Sequence, residues 1–434
     1  MKFSSIIILI SILFTFISAN NIFSQKSDSN LSIYKEYFNE GLYFFNKKEY
    51  NEALYFFLKL LEYQPDNAHF NFKVGETYLN IPGKEIKAIP YLEKAIKNLV
   101  PKNKYKDKSF EESNAPLHAL YYLGNAYRIN NQLDEALRAY EEFINSPYFL
   151  YNYNQSVVEN EIKTCERAKI IQDNPIKVNI SLLDSKINTS ASELYPVVND
   201  DETVLFFIRK LKFYDAIYYT VKEGNEWKEP RNINEEVGSD GDLYPSCISK
   251  DGKALYLVRY TIKGTDIYVS YLENDRWTKA MMIEKPISTN AEENFVFVDN
   301  DEKIMLFCSD RFGGYGGMDI YISYKNSGNK WKKLQKLPKI INSIYEETRP
   351  YLINNEKLYF SSQDFYGMGG YDIFVAEFNK EKNTWSEPRN IGYPINTTGD
   401  NIFFTPAKSG NVLYISKLNP ETENEDIYRI EILD

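Results

Sequence analysis

The chain has 434 residues, which is too long for one ordinary hydrophobic core, so two or three domains are expected. Hydrophobic residues make up 43% and aromatic residues 15%, and this amount of apolar surface excludes disorder over most of the chain. The formal net charge of -10 disfavours a protein that coats nucleic acid. With two histidines and three cysteines, the sequence predicts no metal site and no cofactor, and the widely spaced cysteines are expected to be buried thiols.

The N-terminal residues have the pattern of a secretory signal. Lys2 precedes an apolar run over residues 6–17, and Ser18 and Ala19 follow it. The run is shorter than the roughly 20 residues that a membrane-spanning helix needs, so cleavage is favoured over an uncleaved signal anchor. Residues 1–25 are therefore predicted to be a signal peptide. The mature protein is expected to be exported and to have no integral membrane span. In a double-membraned bacterium its predicted location is the periplasm, and a peripheral position at the outer membrane is compatible with this prediction.

Residues 26–175 show helical periodicity and an internal repeat. Gly41 and Ala53 are twelve residues apart, as are Gly124 and Ala136. A looser copy lies between them, with a one-residue slip near Ile81. Small residues at these positions allow two antiparallel helices to approach closely. Residues 101–116 are predicted to form a loop between the second and third units, and residues 152–172 a capping helix.

These repeats resemble the tetratricopeptide repeat family, whose unit has about 34 residues. The resemblance implies an α-solenoid with a concave groove that binds proteins or peptides. The alternative for any aromatic residue among the groove positions is simple core packing. The implied groove positions are Phe38, Leu42, Phe45, Phe72, Glu76, Leu79, Tyr121, Asn125 and Arg128.

Residues 176–434 change to short alternating runs separated by turns, which is the pattern of β-strands. An Asp-Ile-Tyr-like motif recurs about every 50 residues, and a tryptophan follows four of the five copies. The motifs begin at Asp215, Asp266, Asp319, Asp372 and Asp426, and the tryptophans are Trp227, Trp277, Trp331 and Trp385.

Four-stranded units repeated in this way predict a five-bladed β-propeller. The predicted fold class is therefore multidomain, α then all-β: an α-helical first domain followed by the all-β propeller. The fifth copy lacks the tryptophan-bearing strand, and residues 176–180 look like the missing strand. We therefore expect the first strand of the domain to complete the last blade and close the ring. Four blades with an extra hairpin and six blades are the alternatives.

The units resemble the WD-like (PD40-type) repeats of TolB-type propellers. The resemblance rests on the run RFGGYGGMDIY at residues 311–321, its relative at residues 366–374, and WSEPRNIG at residues 385–392. Tetratricopeptide repeats followed by this propeller also resemble bacterial envelope proteins related to the outer-membrane-protein-A family and to type IX secretion. The glycine-rich runs are not followed by a helix, so they do not predict a nucleotide site.

Charged residues recur at equivalent positions of the repeats and are expected on one propeller face. The basic set is Arg209, Arg259, Arg311 and Lys417, with Gln363 as the exception. The acidic set is Glu193, Asp242, Glu293, Glu347 and Asp400. These sets predict either ion pairs between blades or a polar ring that binds a charged segment of a partner.

The sequence contains no nucleophile elbow, and both histidines lie in the helical repeats. No catalytic residue is assigned, and the prediction is a non-enzymatic scaffold of the cell envelope that binds proteins through the helical groove and the propeller face. The alternative is a propeller that binds or cleaves glycan or cell-wall material, with the helical repeats as a docking arm. The lining of the central well is expected to discriminate between these functions.

Overall fold

The computed structural model describes residues 31–328, 330–419 and 421–433. The predicted signal peptide lies outside these residues. The chain divides into two compact units, of which the first ends at Ile162 and the second begins at Lys163. Among the helices of the described ranges, none combines the length and the apolar composition needed to cross a membrane.

The first unit is built from helices that pack in consecutive pairs, α1 with α2, α3 with α4 and α5 with α6, and α7 begins in this unit and ends in the second. The helices are α1 (31–46), α2 (Tyr50–Tyr63), α3 (Ala68–Leu79), α4 (Ile89–Ala95), α5 (Ala119–Ile129), α6 (Leu133–Ile144) and α7 (Gln155–Gln172), with a 3₁₀ turn at Glu85–Ala88 before α4.

A glycine in the first helix of each pair faces a large side chain of the second. A methyl group at Gly41 would overlap the ring of Phe57, and one at Gly124 would overlap the ring of Tyr140. Gly75 meets Leu92 in the same way, so the looser middle copy packs like the other two. The predicted close approach of the paired helices is therefore present in each pair, because a side chain at the glycine would hold the helices apart.

The second unit contains five antiparallel sheets, which we call blades 1 to 5. Blade 1 is Glu193–Val198, Val204–Lys210, Asp215–Glu223 and Glu226–Trp227; blade 2 is Leu243–Ile248, Ala254–Thr261, Gly264–Glu273 and Arg276–Trp277; blade 3 is Glu293–Val298, Ile304–Ser309, Asp319–Lys325 and Trp331–Lys336; blade 4 is Glu347–Ile353, Lys357–Ser362, Asp372–Asn379 and Thr384–Trp385; blade 5 is Phe404–Ala407, Val412–Leu418, Glu425–Ile432 and Val178–Leu182.

Three blades carry a further short strand that pairs with their third strand, and a short helix precedes blade 2. The short strands are Arg231–Asn232, Met281–Met282 and Arg389–Asn390, and the helix is Asn234–Val237.

The ring is closed by the first strand of the unit. Val178–Leu182 pairs antiparallel with Glu425–Ile432, so the N-terminal strand completes blade 5. The first strands of the five blades contact one another in a closed circle. The predictions of five blades and of closure by the N-terminal strand are confirmed, although pairing covers residues 178–182 instead of 176–180.

Buried asparagines fix the connection between successive blades. The Asn188 Oδ1 accepts a hydrogen bond from the Ile427 N–H at 2.8 Å, and the Asn188 amide donates back to the Ile427 carbonyl at 3.0 Å. The isoleucine belongs to the Asp-Ile-Tyr motif of blade 5, and the asparagine lies in the segment that leads into blade 1. In three other blades an asparagine Oδ1 likewise accepts from the N–H of the motif isoleucine: Asn234 from Ile217, Asn342 from Ile320 and Asn396 from Ile373. The amides of Asn342 and Asn396 donate back to the carbonyl of the same isoleucine, whereas that of Asn234 donates to the carbonyl of Asp215. These amides satisfy backbone groups that the sheets leave unpaired.

The hydrophobic core lies between the blades. Phe206 and Ile217 of blade 1 pack with Leu257 and Trp277 of blade 2, and Trp277 is buried. The other blades share clusters of the same kind, so each blade buries its faces against its neighbours. The three cysteines are buried thiols, as predicted.

Glu202 forms an ionic cluster where blade 1 meets blade 5. The Arg429 Nε donates to Glu202 Oε1 at 2.6 Å, and the Lys408 Nζ lies 2.8 Å from Oε2. The Tyr414 hydroxyl also donates to Oε1 at 2.8 Å. Burial on its own would raise the pKa of Glu202, but these three donors lower it to about 2. The carboxylate therefore stabilises the junction at which the ring closes.

We predict that Glu202→Gln lowers the free energy of unfolding by about 1 to 3 kcal/mol at pH 7, because buried donors lose their charged acceptor. The pKa of Glu202 is lower in the folded state, so its contribution is present above pH 4.5 and is lost as the pH falls toward 2. Urea unfolding of both proteins from pH 7 to pH 3 measures the difference, which should shrink as the pH falls.

The matched control is Glu356→Gln. Glu356 lies in the corresponding turn of blade 4 and forms an exposed ion pair with Lys380. This substitution should change the stability little, because exposed ion pairs contribute little. Equal losses for the two variants would contradict the role of Glu202 at the junction.

Candidate functional site

Two sets of loops form one face of the propeller, which we call the entry face. They are the loops between the second and third strands of each blade and the segments that connect successive blades. The turns between first and second strands, and those between third and fourth strands, form the opposite exit face. Because the first strand of every blade begins at the entry face, both charged sets predicted from the sequence lie there.

The arginines of the entry face form ion pairs within their own blades. The Arg209 Nε lies 2.7 Å from Glu193 Oε1 in blade 1, and the Arg311 guanidinium lies 3.0 Å from Glu293 in blade 3. Arg259 pairs with Asp242 in blade 2 at 2.9 Å. Each pair lies within one blade, at the entry-face ends of its first and second strands. Among the described residues, these two charged sets therefore form ion pairs within blades and not between them.

The same guanidinium groups also hold the connecting segments. Arg209 donates to the carbonyls of Lys186 and Ile187, and Arg311 donates to those of Pro286 and Ile287. The Arg209 and Arg311 side chains are each only 12% exposed. They therefore support the loops of the entry face from below.

Blades 4 and 5 depart from this arrangement. In blade 4, Glu347 accepts hydrogen bonds from Ser343 and Ser362, and burial raises its pKa to about 7. In blade 5, the residue equivalent to Glu347 is Asn401. Its Oδ1 accepts a hydrogen bond from the Thr397 N–H at 2.8 Å. Asp400, which the sequence predicted there, instead accepts from the Tyr371 N–H at 3.0 Å.

Lys417 is the last member of the predicted basic set. It lies near the end of the second strand of blade 5. Burial lowers the pKa of Lys417. Lys417 forms no ion pair within the described residues. Its position matches that of the arginines, but its partners differ.

The glycine-rich loops fold around the aspartate of the strand motif. Asp319 accepts from the Tyr315 N–H, and Asp372 accepts from the N–H groups of Met368 and Gly369. A methyl group at Gly316 would overlap the carbonyl of Tyr345. The backbone donors that could hold a phosphate are thus already used by the chain's own carboxylates, and the glycines are required by close packing.

Large apolar side chains are exposed around the rim of the entry face, and we call this set the apolar crown. Phe312 and Ile262 are fully exposed, and Phe213 is 86% exposed. The described turns of the exit face, in contrast, carry no exposed large apolar side chain. The crown consists of Phe213, Tyr214, Tyr260, Ile262, Phe312, Tyr315, Ile344, Tyr345 and Tyr366.

A well of about 420 Å³ opens at the centre of the entry face. Its lining includes the carboxylates of Glu292, Asp310 and Glu346. Aromatic side chains line it as well, namely Tyr195, Tyr260, Phe295, Tyr371 and Phe403. The well therefore combines acids with rings, and it is not simply plugged by apolar side chains.

Arg349 lies beneath the rings of this well. Its side chain is buried, and the guanidinium carbon is 4.4 to 5.0 Å from the ring centroids of Tyr195, Phe295 and Phe403. Its backbone has a positive φ of 52° at an irregularity in the first strand of blade 4. This bulge turns the arginine toward the propeller axis, where three aromatic faces stabilise its charge.

Below Arg349, hydrogen bonds across the axis close the channel. The Tyr351 hydroxyl donates to the Ser246 carbonyl at 3.1 Å and lies 3.1 Å from Thr405 Oγ1. The Thr405 hydroxyl donates to the Pro196 carbonyl at 2.5 Å, and the Ser246 hydroxyl donates to the Val296 carbonyl at 2.9 Å. All five blades are linked by these bonds, so the well has a floor.

In the helical unit, the segment over residues 101–116 packs against predicted groove positions. The ring of Phe110 packs on that of Phe38, and the ring of Tyr105 packs on that of Phe72. The ring centroids are 6.1 Å apart in both pairs. The Lys73 Nζ bridges Glu76 at 3.0 Å and Asp107 at 2.5 Å. Burial on its own would lower the pKa of Lys73, but these two carboxylates raise it. The predicted loop is therefore an insert that covers Phe38, Phe72 and Glu76.

The remaining groove positions are partly covered by other contacts. Leu42, Phe45 and Leu79 are half-buried. Arg128 is buried and pairs with Glu161 of α7 at 3.2 Å, and the Tyr121 hydroxyl lies 3.5 Å from the same carboxylate. The Asn125 side chain accepts a hydrogen bond from the Tyr140 hydroxyl at 2.6 Å. Pairing within the unit therefore uses most of the polar groups that the sequence predicted for a partner.

No family model and no curated protein matches this chain. Solved structures do match it. TolB from Acinetobacter baumannii is 15% identical, with a TM-score of 0.38, over 57% of this chain and 56% of that chain. The α-L-arabinofuranosidase from Lactobacillus brevis is 17% identical, with a TM-score of 0.38, over 57% of this chain and 93% of that one. The endo-arabinase from Bacteroides thetaiotaomicron is 17% identical, with a TM-score of 0.38, over 58% of this chain and 98% of that one.

These structures place TolB-type propellers among the neighbours of this chain, together with glycoside hydrolases. The chain spans 56% of the length of the A. baumannii TolB. The sequence motifs and the described residues agree on a β-propeller preceded by a helical unit.

We predict that docking of the insert protects it from trypsin, which cleaves after lysines such as Lys104 and Lys106. Phe110→Ser and Asp107→Asn should each raise the initial cleavage rate within residues 101–116 by about tenfold, because the docked state loses an apolar or ionic contact. Limited proteolysis with mass spectrometry measures this rate, and Glu111→Gln, which alters an exposed ion pair with Lys35, is the control. Unchanged cleavage in the first two variants would contradict a docked insert.

Proposed function

We propose that this protein is an exported, non-enzymatic scaffold of the bacterial cell envelope whose main protein-docking surface is the entry face of the propeller. The observation that carries the proposal is the apolar crown. Contiguous exposed apolar surface is costly in water and marks interaction sites. Its restriction to the loops of one face, with polar turns on the other, supports a specific docking surface.

The predicted basic residues have a supporting role in this proposal. Arg209, Arg259 and Arg311 hold the connecting segments through ion pairs and carbonyl contacts, as described above. Crown residues such as Phe312 lie next to these arginines in the chain. A fixed set of loops lowers the entropy that is lost on binding, so the arginines contribute to affinity by preorganising the surface.

The helical unit is proposed to be a tetratricopeptide-type array that adds a second protein contact. The three equivalent glycine contacts support this assignment, because that repeat places a small residue where its helices meet. A partner segment that used the groove at Phe38, Phe72 and Glu76 would have to replace the insert. A segment with an aromatic side chain and a carboxylate fits that exchange, since Phe110 and Asp107 are what the groove now holds.

The proposal is tested with the triple variant F213S/I262S/F312S. The full chain, tagged at its C-terminus, is used to capture partners from the envelope fraction of its own source, and the captured proteins are quantified by mass spectrometry. Each crown residue is expected to contribute about 1 to 3 kcal/mol as an interface anchor, so the triple variant should reduce recovery of the partner set more than tenfold.

The matched control is the triple variant Y271S/M281S/M282S. These side chains are also exposed and apolar, but they lie on outer strands of blade 2. The control should retain the partners, and circular dichroism should show that both variants are folded. Equal recovery by the crown variant and the wild-type chain would contradict docking through the entry face.

A further inference from the structure

The well of the entry face contains polar groups that have no hydrogen-bond partner in the protein. Asn294 lines the well and is only 7% exposed, and its buried Oδ1 accepts no hydrogen bond from the chain. The Nε of Arg349, which lies under three of the lining rings, donates none. Buried polar atoms are nearly always paired, so these two groups indicate a site that accepts a ligand or water.

The charges of the well disfavour a simple ion as its ligand. The carboxylates of Glu292, Asp310 and Glu346 lie around the lining and would repel an anion. Arg349, at the base, would repel a small cation that entered deeply. A ligand that suits the well is therefore neutral and donates hydrogen bonds to the carboxylates and to the Oδ1 of Asn294.

The lining rings add a second requirement. Tyr195, Tyr260 and Tyr371 present aromatic surface next to the carboxylates. The Tyr371 hydroxyl donates to Glu346 Oε2, which holds that carboxylate at the wall. A ligand with apolar C–H faces can pack on these rings while its polar groups reach the acids.

From this combination we propose that the well binds a saccharide residue without covalent chemistry. Sugar hydroxyl groups both donate and accept hydrogen bonds, and the C–H faces of the ring pack on aromatic side chains. The well of about 420 Å³ lies within the range of about 300 to 1,000 Å³ that is usual for small-molecule sites, and its floor is closed by the Tyr351 contacts. This inference is independent of protein docking on the crown.

The test is calorimetric titration of the full chain with xylotriose, cellotriose, maltotriose and chitotriose at millimolar concentration. At least one of these neutral oligosaccharides should bind, and saturation-transfer NMR should show contact of its C–H protons with aromatic side chains. The double variant E292Q/E346Q should weaken that binding at least tenfold, because amides are weaker acceptors than carboxylates.

Three comparisons make the result decisive. Asp251→Asn, on the exit face, should leave oligosaccharide binding unchanged, as should the crown variant F213S/I262S/F312S. Asn294→Ala, which removes the unpartnered acceptor, should weaken binding at least fivefold, with thermal unfolding as the check on folding. Failure of all four oligosaccharides to bind, or equal binding by the wild-type chain and E292Q/E346Q, would overturn the saccharide proposal. Neither result would bear on protein docking at the apolar crown, because the protein-capture experiment measures that docking separately.

Discussion

The propeller depends on the pairing of its first strand with its last repeat. Val178–Leu182 supplies the outer strand of blade 5, and Glu202 of blade 1 binds Arg429 and Lys408 of blade 5 at the same junction. A blade buries its faces only against its neighbours, so an open ring would expose two of them to water. Closure therefore stabilises blades that would be marginal individually.

Ring closure also determines what the two faces can do. The first strand of every blade begins at the entry face, so the loops of all five blades gather around one axis. The hydrogen bonds of Tyr351, Thr405 and Ser246 seal that axis partway down, which leaves a well instead of a channel. Apolar side chains such as Phe312 then surround a polar centre, and this combination distinguishes the entry face from the polar turns opposite.

Much of this architecture could be predicted because it repeats. The Asp-Ile-Tyr motif and the tryptophans gave the number of blades, and the incomplete fifth copy predicted closure. What did not repeat was missed. The strand bulge recurs in blades 1, 3 and 4, but its central residue is Tyr195 or Phe295 in the first two and an arginine, Arg349, only in blade 4. The insert covers predicted groove positions through contacts between residues far apart in sequence, such as that of Phe110 with Phe38. In blade 5, the residue equivalent to Glu347 is Asn401, not Asp400 as the sequence predicted. The prediction matched acidic residues, but this position requires only a hydrogen-bond acceptor, which an asparagine also supplies.

The most direct test of the central claim, that partners dock on the entry face, is site-specific photo-crosslinking in the native envelope. A photoreactive amino acid replaces Ile344 at the rim of the entry face or, in a second strain, Asn355 in an exit-face turn. We expect discrete protein adducts from position 344 and none of these adducts from position 355. Adducts from position 355 with none from position 344 would contradict it and assign docking to the opposite face.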